Sequence, residues 1–428
     1  MKLLLFAHTP PPHHGQSYMV QLMLEGFGGD HRRPTQSKLG NPAANRFGIE
    51  CYHVNSRLSR RLEDIGDFRP TKFLLLLGYC LQAIWFRFRY GINTLYYVPA
   101  PGKRSALFRD WLVMFLCRPF FKRLILHWHA AGLGKWLETS VHIGYRTLTY
   151  RMMKKADLSV VLSRYNRSDA EKLLATRIKV VSNGIPDPCP QFDAEVQTRR
   201  LARLEARRRL VSGQQLGNEL LSQAGADASS IFVLYLAHCT AEKGLFDTLA
   251  GVRLGNERLA RIHSPLRLQL IITGNFVTAE ERRRFDLIQT EPWAADSVQY
   301  LGFVAGPQKQ AILKQADLFC FPTLYRNENQ PVNLIEAMAF GLPILTTRWR
   351  SIPELFPPDY PGLVDINSPD QISGKLLSLP LQESGAGFRG IFREHFTIEK
   401  HLTDLAAALH SVEIAAAEPQ PRAIPAQA

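Results

Sequence analysis

This chain of 428 residues has no long hydrophobic run. Its longest apolar stretch, residues 73–86, contains Gln82 and falls short of the roughly 20 residues a bilayer-crossing helix needs, so no transmembrane helix is predicted. The opening MKLLLFAHTPPPHH has too short an apolar run for a signal peptide, with Pro and His where a small-residue cleavage site would stand. Cysteine is sparse. The six are scattered, with no C-x-x-C pair and no Cys/His spacing suited to zinc, which predicts reduced thiols and a cytoplasmic protein. No D-x-D occurs, so the chain offers no acidic pair of that kind to a divalent metal. Acidic residues are also scarce at one end: residues 1–155 hold 23 Lys and Arg against 8 Asp and Glu, which accounts for the whole formal net charge of +14. A surface this basic suits a nucleic acid or an anionic membrane, and the lack of a recognised nucleic-acid motif favours the membrane.

What is present is an ordinary globular composition, 46% hydrophobic and 21% charged, in a chain too long for one core, which predicts two domains. Short β-rich apolar runs alternate with helical patterns, the reading for parallel sheets with helices on both faces. Strands are expected at 2–8, 49–54, 93–98, 123–129, 157–163 and 178–181, then at 231–237, 267–273, 298–301, 317–321 and 343–346. The fold class is therefore α/β, with two doubly wound, Rossmann-like domains. IPDPCP at 185–190 can continue neither strand nor helix and breaks the chain there. Domains are expected at 1–186 and 187–395, with a C-terminal helix at 396–412 that packs back on the first domain and a disordered tail at 413–428 rich in Ala and Pro. Residues 191–229, rich in Arg, Glu, Gln and Ala, read as a solvated excursion with a helix around 196–210.

The segment ADLFCFPTLYRNENQPVNLIEAMAFGLPILTT, residues 316–347, carries the most chemistry. An apolar strand ends at Pro322, a polar loop follows, Pro331 suits a helix start and LIEAMAF is helical. Glu336 falls among apolar neighbours, where a carboxylate needs a partner. Glu328 lies eight residues upstream, so both carboxylates can face the crevice at the carboxyl ends of the strands. One can hold a ribose, while amides around Val332 to Leu334, Asn333 among them, can receive a phosphate. A helix-capping acid beside a solvated loop acid has the same spacing.

Glu328-x7-Glu336 followed by AMAFGLPILTT resembles the E-x7-E signature of retaining GT-B glycosyltransferases, glycosyltransferase family 4. The resemblance extends over most of residues 1–400, with Asn329-Gln330-Pro331 standing where the family has G-F-G. It implies a GT-B fold, two Rossmann-like domains facing a central cleft, with the acceptor on the N-terminal side and the nucleotide sugar on the C-terminal side. Glu336 would hold the nucleotide ribose, and Glu328 would lie against the donor sugar. IFVLYLAHCTAEKGLFDTLAGV at 231–252 is similar to the family's G-R-x4-K-G segment: Lys243 matches the diphosphate-binding lysine, and His238 replaces the arginine. Phe303 and Val304 match the base-contacting segment, and Gly15 a glycine of the first, diphosphate-approaching loop. In RLILHWHAAG, His129 matches a histidine that contacts the donor sugar, with His127 supporting it; a strand-end histidine is otherwise more often an ordinary surface residue. Ser163-Arg164 and Asn183-Gly184 match framing landmarks.

The resemblance thus implies metal-independent transfer of a sugar, with retention, from a UDP- or GDP-sugar to an acceptor hydroxyl, with no cofactor. The acceptor would be a lipid-linked saccharide, lipid or glycan in bacterial-type polysaccharide or glycolipid assembly. Residues 102–128 and 86–90 interleave cations with bulky apolar side chains, which suits a protein peripheral on the cytoplasmic face of an anionic membrane; a buried helix pair with solvated Arg flanks has the same pattern. The alternative is a non-catalytic GT-B-like accessory subunit at the membrane.

Overall fold

The computed structural model describes residues 1–11, 14–33, 46–58, 70–99, 101–225, 227–382 and 385–417. The chain divides into two compact units, Met1–Ser182 with the chain from Glu399 onward, and Asn183–Ile398. The division comes at the Asn183-Gly184 turn, just ahead of the proline-rich segment expected to carry it.

In the first unit, β1 (Lys2–Phe6), β2 (Glu50–Val54), β3 (Thr94–Tyr97), β4 (Arg123–Trp128), β5 (Leu158–Val161) and β6 (Ile178–Val180) form one sheet in the order β2-β1-β3-β4-β5-β6. Every pairing is parallel. That arrangement covers both sheet faces, which is why LLLF and LYY read as unbroken apolar runs. The helix Ile398–Ala417 is tied to this unit: His401 Nδ1 lies 2.6 Å from the Ser182 carbonyl, and Arg177 donates to the Ser411 carbonyl at 2.9 Å. Gly26 leaves room for Leu402 of this helix, whose side chain would have to shift if a Cβ stood 2.3 Å from it. The helix continues past the expected end at 412, since the alanines through Ala417 are strong helix formers; of the expected disordered tail, residues 413–417 are therefore helical and 418–428 lie outside the described residues.

The second sheet is built from β7 (Ser230–Leu236), β8 (Arg267–Thr273), β9 (Val298–Tyr300), β10 (Leu318–Phe321), β11 (Ile344–Thr347) and β12 (Leu363–Val364), in the order β12-β11-β10-β7-β8-β9. It too is parallel throughout. Only β12, two residues long, was too short to be expected from pattern.

Residues 191–229 are a solvated excursion only in part, since most of 211–223 is exposed while the preceding helix is anchored in the fold. The helix Thr198–Val211 presents Arg200, Arg203 and Arg207 on one face, and all three are buried. Arg203 Nε meets Asp317 Oδ1 at 2.8 Å and Arg207 Nη2 meets Asp317 Oδ2 at 2.5 Å. Arg200 donates to the carbonyls of Phe340 and Gly341, at the C-terminal end of the helix Val332–Ala339, where a cation is favoured by the helix dipole. Spacings of three and four place these arginines on the inward stripe, and a search for apolar periodicity passes over them.

Burial alone would raise the Asp317 pKa, but the guanidinium groups of Arg207 and Arg203 hold it down at about 2. The folded value lies below the ordinary 3.8, so the stability it contributes is present above about pH 4 and is lost as pH falls toward 2. Asp317→Ala would leave two buried cations without their carboxylate and should cost about 3–5 kcal/mol in urea unfolding monitored on the second unit. An unchanged midpoint would contradict this account.

Candidate functional site

β7 leads to β8 and β9 on one side, and the chain then crosses to β10 on the other side of β7. The loops that leave the carboxyl ends of β7 and β10 consequently part in opposite directions, and ligands bind doubly wound sheets at such a point. The two loops are pinned together: Leu324 N donates to the Glu242 carbonyl at 2.8 Å, and Thr323 Oγ1 lies 3.2 Å from the same carbonyl oxygen. Gly244 follows with φ of 82°, and a Cβ there would sit 2.3 Å from the Pro322 carbonyl oxygen. The glycine of the K-G pair after β7 is thus a backbone requirement.

Lys243 Nζ reaches Glu328 Oε2 at 2.6 Å, and Thr323 Oγ1 donates to the same oxygen at 3.0 Å. The Tyr325 ring lies against the ammonium, 4.4 Å from centroid to Nζ. Both charged side chains are mostly buried. The second carboxylate has its own cation: Lys309 Nζ lies 2.5 Å from Glu336 Oε1. Two of the residues expected to bind a ligand are therefore brought together, and each expected carboxylate faces a lysine.

At the helix start, Asn333 Nδ2 donates to the Leu236 carbonyl at the end of β7, at 2.9 Å, and its Oδ1 is buried with no hydrogen-bond partner among the described residues. Leu334 N already donates to the Pro331 carbonyl at 3.2 Å, so the amides of this turn with no hydrogen-bond partner among the described residues are those of Val332 and Asn333. His238 is lowered by burial and by the Lys243 ammonium, which makes it a neutral ring at pH 7. Val304 is buried and Phe303 is exposed just past β9.

Where the family has G-F-G, this chain has side chains with structural tasks. Gln330 Oε1 accepts from Asn183 N at 2.5 Å, and Asn183 Nδ2 donates to the Gln330 carbonyl at 3.1 Å. Ser351 Oγ donates to the Asn329 carbonyl. The loop keeps its shape through amide and hydroxyl bonds rather than through glycine conformations.

The first unit has its own switch point, between β1 and β3. Gly15 opens the helix Gly15–Gly26 without a positive φ, and His14 caps that helix, its Nε2 2.8 Å from His8 Nε2. His129 follows β4, half-buried, with its ring 4.2 Å from that of His127. Burial and the neighbouring His401 and His14 keep His129 neutral. His127 is buried against the Tyr96 hydroxyl through Nδ1, and its Nε2 has no partner among the described residues.

Sequence reasoning missed Lys309, Thr323 and Tyr325. Thr323 and Tyr325 lie within the segment that drew attention and could have been found as its polar and aromatic members. Lys309 sits 27 residues before Glu336 on the helix Gly306–Gln315, with no local signal.

Two six-stranded parallel sheets with these crossovers define a GT-B fold. Residues 218–386 match the family described as "Glycosyl transferases group 1". A protein of Escherichia coli (strain K12) named as the colanic acid biosynthesis glycosyltransferase WcaL is 30% identical over 141 residues, 32% of this chain and 32% of that protein. The match thus spans about a third of that curated relative's length. Among solved structures, sucrose-phosphate synthase from Thermosynechococcus elongatus is similar with a TM-score of 0.66 at 16% identity, covering 97% of this chain and 100% of the other. Anabaena HepE, solved with UDP and glucose, is similar with a TM-score of 0.60 at 14% identity, covering 95% and 99%.

Gly244→Ala tests the loop geometry. The new methyl would meet the Pro322 carbonyl in a left-handed backbone, and a stability loss of at least about 1–3 kcal/mol is expected in denaturant unfolding. A variant as stable as the parent would refute the close approach of the two loops.

Proposed function

We propose that this protein is a retaining glycosyltransferase of family 4 that moves a sugar from a nucleoside diphosphate sugar to an acceptor hydroxyl in polysaccharide or glycolipid assembly. The observation that carries this reading is the Lys243–Glu328 pair at the β7/β10 switch point, where Asn333 also ties the start of its helix to the end of β7. In transfer, the bond from the anomeric carbon to the diphosphate oxygen breaks with its electron pair leaving on the nucleotide. A bond to the acceptor oxygen forms on the same face, and the acceptor proton passes to the departing phosphate. Lys243 and the helix amides offset the charge that develops on the diphosphate. Glu328 orients the sugar and stabilises positive charge at the anomeric centre, and His129 orders sugar hydroxyls as a neutral ring.

Glu336 holds the ribose, with Lys309 fixing its carboxylate, and Phe303 and Val304 flank the base. Gly15 belongs to the loop that approaches the diphosphate. His238, being neutral, contributes a hydrogen bond rather than a charge, which leaves the cationic work to Lys243. UDP is the first nucleotide to test, because HepE was solved with it. WcaL's assignment to colanic acid biosynthesis supports an acceptor that is a lipid-linked saccharide, lipid or glycan, reached by a protein peripheral on the cytoplasmic face of a membrane.

A thermal-shift screen of UDP, GDP, ADP and their sugars tests the donor, since a ligand at 100 times its Kd stabilises the folded state by roughly 2.7 kcal/mol. Glu336→Ala should weaken binding of the responding nucleotide by roughly 2–4 kcal/mol with the fold retained. Unaltered affinity would remove Glu336 from the ribose. Donor binding without any turnover would favour the accessory-subunit reading instead.

The proposed chemistry uses no metal, because Lys243 and the amides take its part. Activity should survive EDTA; complete loss that Mg²⁺ or Mn²⁺ restores would overturn this assignment.

A further inference from the structure

The helix Pro70–Arg89 carries the chain's longest apolar run, and only one side of it is used by the core. Leu76, Cys80, Ala83 and Phe86 are buried. On the other side, Leu74, Leu81, Trp85 and Phe88 are 65%, 59%, 55% and 65% exposed, at the seven-, four- and three-residue steps that keep side chains on one helix face. An ordinary surface helix would place charge there. The stripe is lengthened at its C-terminal end by Phe120, exposed, whose ring lies 5.9 Å from that of Phe88.

Along this stretch of the sequence cations far outnumber acids. From residue 70 to 137 the chain has ten Lys and Arg and a single acid, Asp110. Asp110 is buried, accepting from the Tyr97 hydroxyl at 2.6 Å and from Arg109 at 3.0 Å, so it contributes no negative surface. Arg89 and Lys122 are exposed, and Arg87 donates to the Phe120 carbonyl at 2.7 Å, which holds the guanidinium at the stripe's edge. Arg118, in contrast, is committed to the Met152 and Lys154 carbonyls and is poorly placed to meet a headgroup.

We infer that this face is the membrane-binding surface of the protein: the helix Pro70–Arg89 lies in the plane of an anionic bilayer, with Leu74, Leu81, Trp85 and Phe88 in the acyl boundary and Arg89 and Lys122 at the headgroups. The uncharged stretch 73–86 is about 21 Å long as a helix, against about 30 Å of hydrocarbon, so it lies on the bilayer rather than crossing it. No helix among the described residues is long and apolar enough to cross. Charge complementarity selects an anionic lipid over a second copy of the chain. In a two-fold dimer formed through this face the cationic rims would meet each other, since such an interface is self-complementary. This placement builds on the peripheral location proposed above and makes a specific surface responsible for it.

The test uses the full chain and vesicles of phosphatidylcholine with or without 30% phosphatidylglycerol, read by co-sedimentation. The parent should bind the anionic vesicles at least tenfold better, with binding that weakens as salt rises. Trp85→Ser with Phe88→Ser should reduce binding more than tenfold, and Arg89→Gln with Lys122→Gln should also reduce it about tenfold or more on the anionic vesicles. Thermal unfolding and the nucleotide-induced shift, which read the fold and the donor proposal separately, should stay unchanged in both variants. Undiminished vesicle binding by the Trp85/Phe88 variant, or no binding by the parent, overturns the inference. A dimer in solution that this variant dissolves, together with no vesicle binding, would assign the face to a second copy.

Discussion

The seam between β7 and β10 constrains the rest of the second unit. At its amino end, Asp317 immediately precedes β10 and its Oδ2 accepts from Phe232 N in β7 at 2.9 Å, so one carboxylate fastens the two strands and two buried guanidinium groups at once. At its carboxyl end the same strands release the loops that hold Lys243 and Glu328. Parallel pairing of Leu318 with Val233 and Phe319 with Leu234 makes the spacing of those loops a direct consequence of strand register. A slip of one residue would turn every side chain to the other sheet face and separate the lysine from the glutamate.

The buried arginines extend this constraint to the short helix beside the site. Arg200 occupies the carbonyls at the end of Val332–Ala339, while Asn333 ties its first turn to the end of β7. The helix is fixed at both ends, and its amino-terminal amides have a defined direction. Burial lowers Arg200 only to about 10, so it stays charged at neutral pH and continues to serve those carbonyls. Eight residues are too few for a helix to be stable by itself, which makes these tertiary anchors necessary.

Eleven of the twelve strands among the described residues were legible, the central ones because parallel strands buried on both faces leave unbroken apolar runs in the sequence. Glu328 and Glu336 drew attention through their spacing around a strand-loop-helix transition and through the resemblance to the E-x7-E signature. Their partners were less legible. Lys309 reaches Glu336 from another helix, and no local pattern announces a contact made only by tertiary packing. The helix Thr198–Val211 misled because arginine counts as polar in any periodicity search, yet three guanidinium groups can be buried when carbonyls and a carboxylate receive them. The loop Asn329-Gln330-Pro331 shows the converse: loss of a glycine pattern does not require loss of a loop, since Gln330 and Asn329 supply bonds from side chain and carbonyl that hold the turn.

Charge is organised differently in the two units, and this bears on what each surface can do. In the second, Lys243, Lys309, Arg203 and Arg207 all have carboxylates within ion-pair distance, so its cations are largely consumed by its own fold and by the site. In residues 1–155 that is arithmetically impossible, because 23 Lys and Arg face 8 Asp and Glu. The excess must be neutralised by something outside this stretch, and a folded protein gains nothing in stability from such self-repulsion. The excess is also not spread evenly, since the single acid between residues 70 and 137 is buried where exposed aromatic and aliphatic side chains sit beside cations. Apolar exposure is unfavourable in water and crowded like charges repel one another, and the membrane placement inferred above would relieve both together.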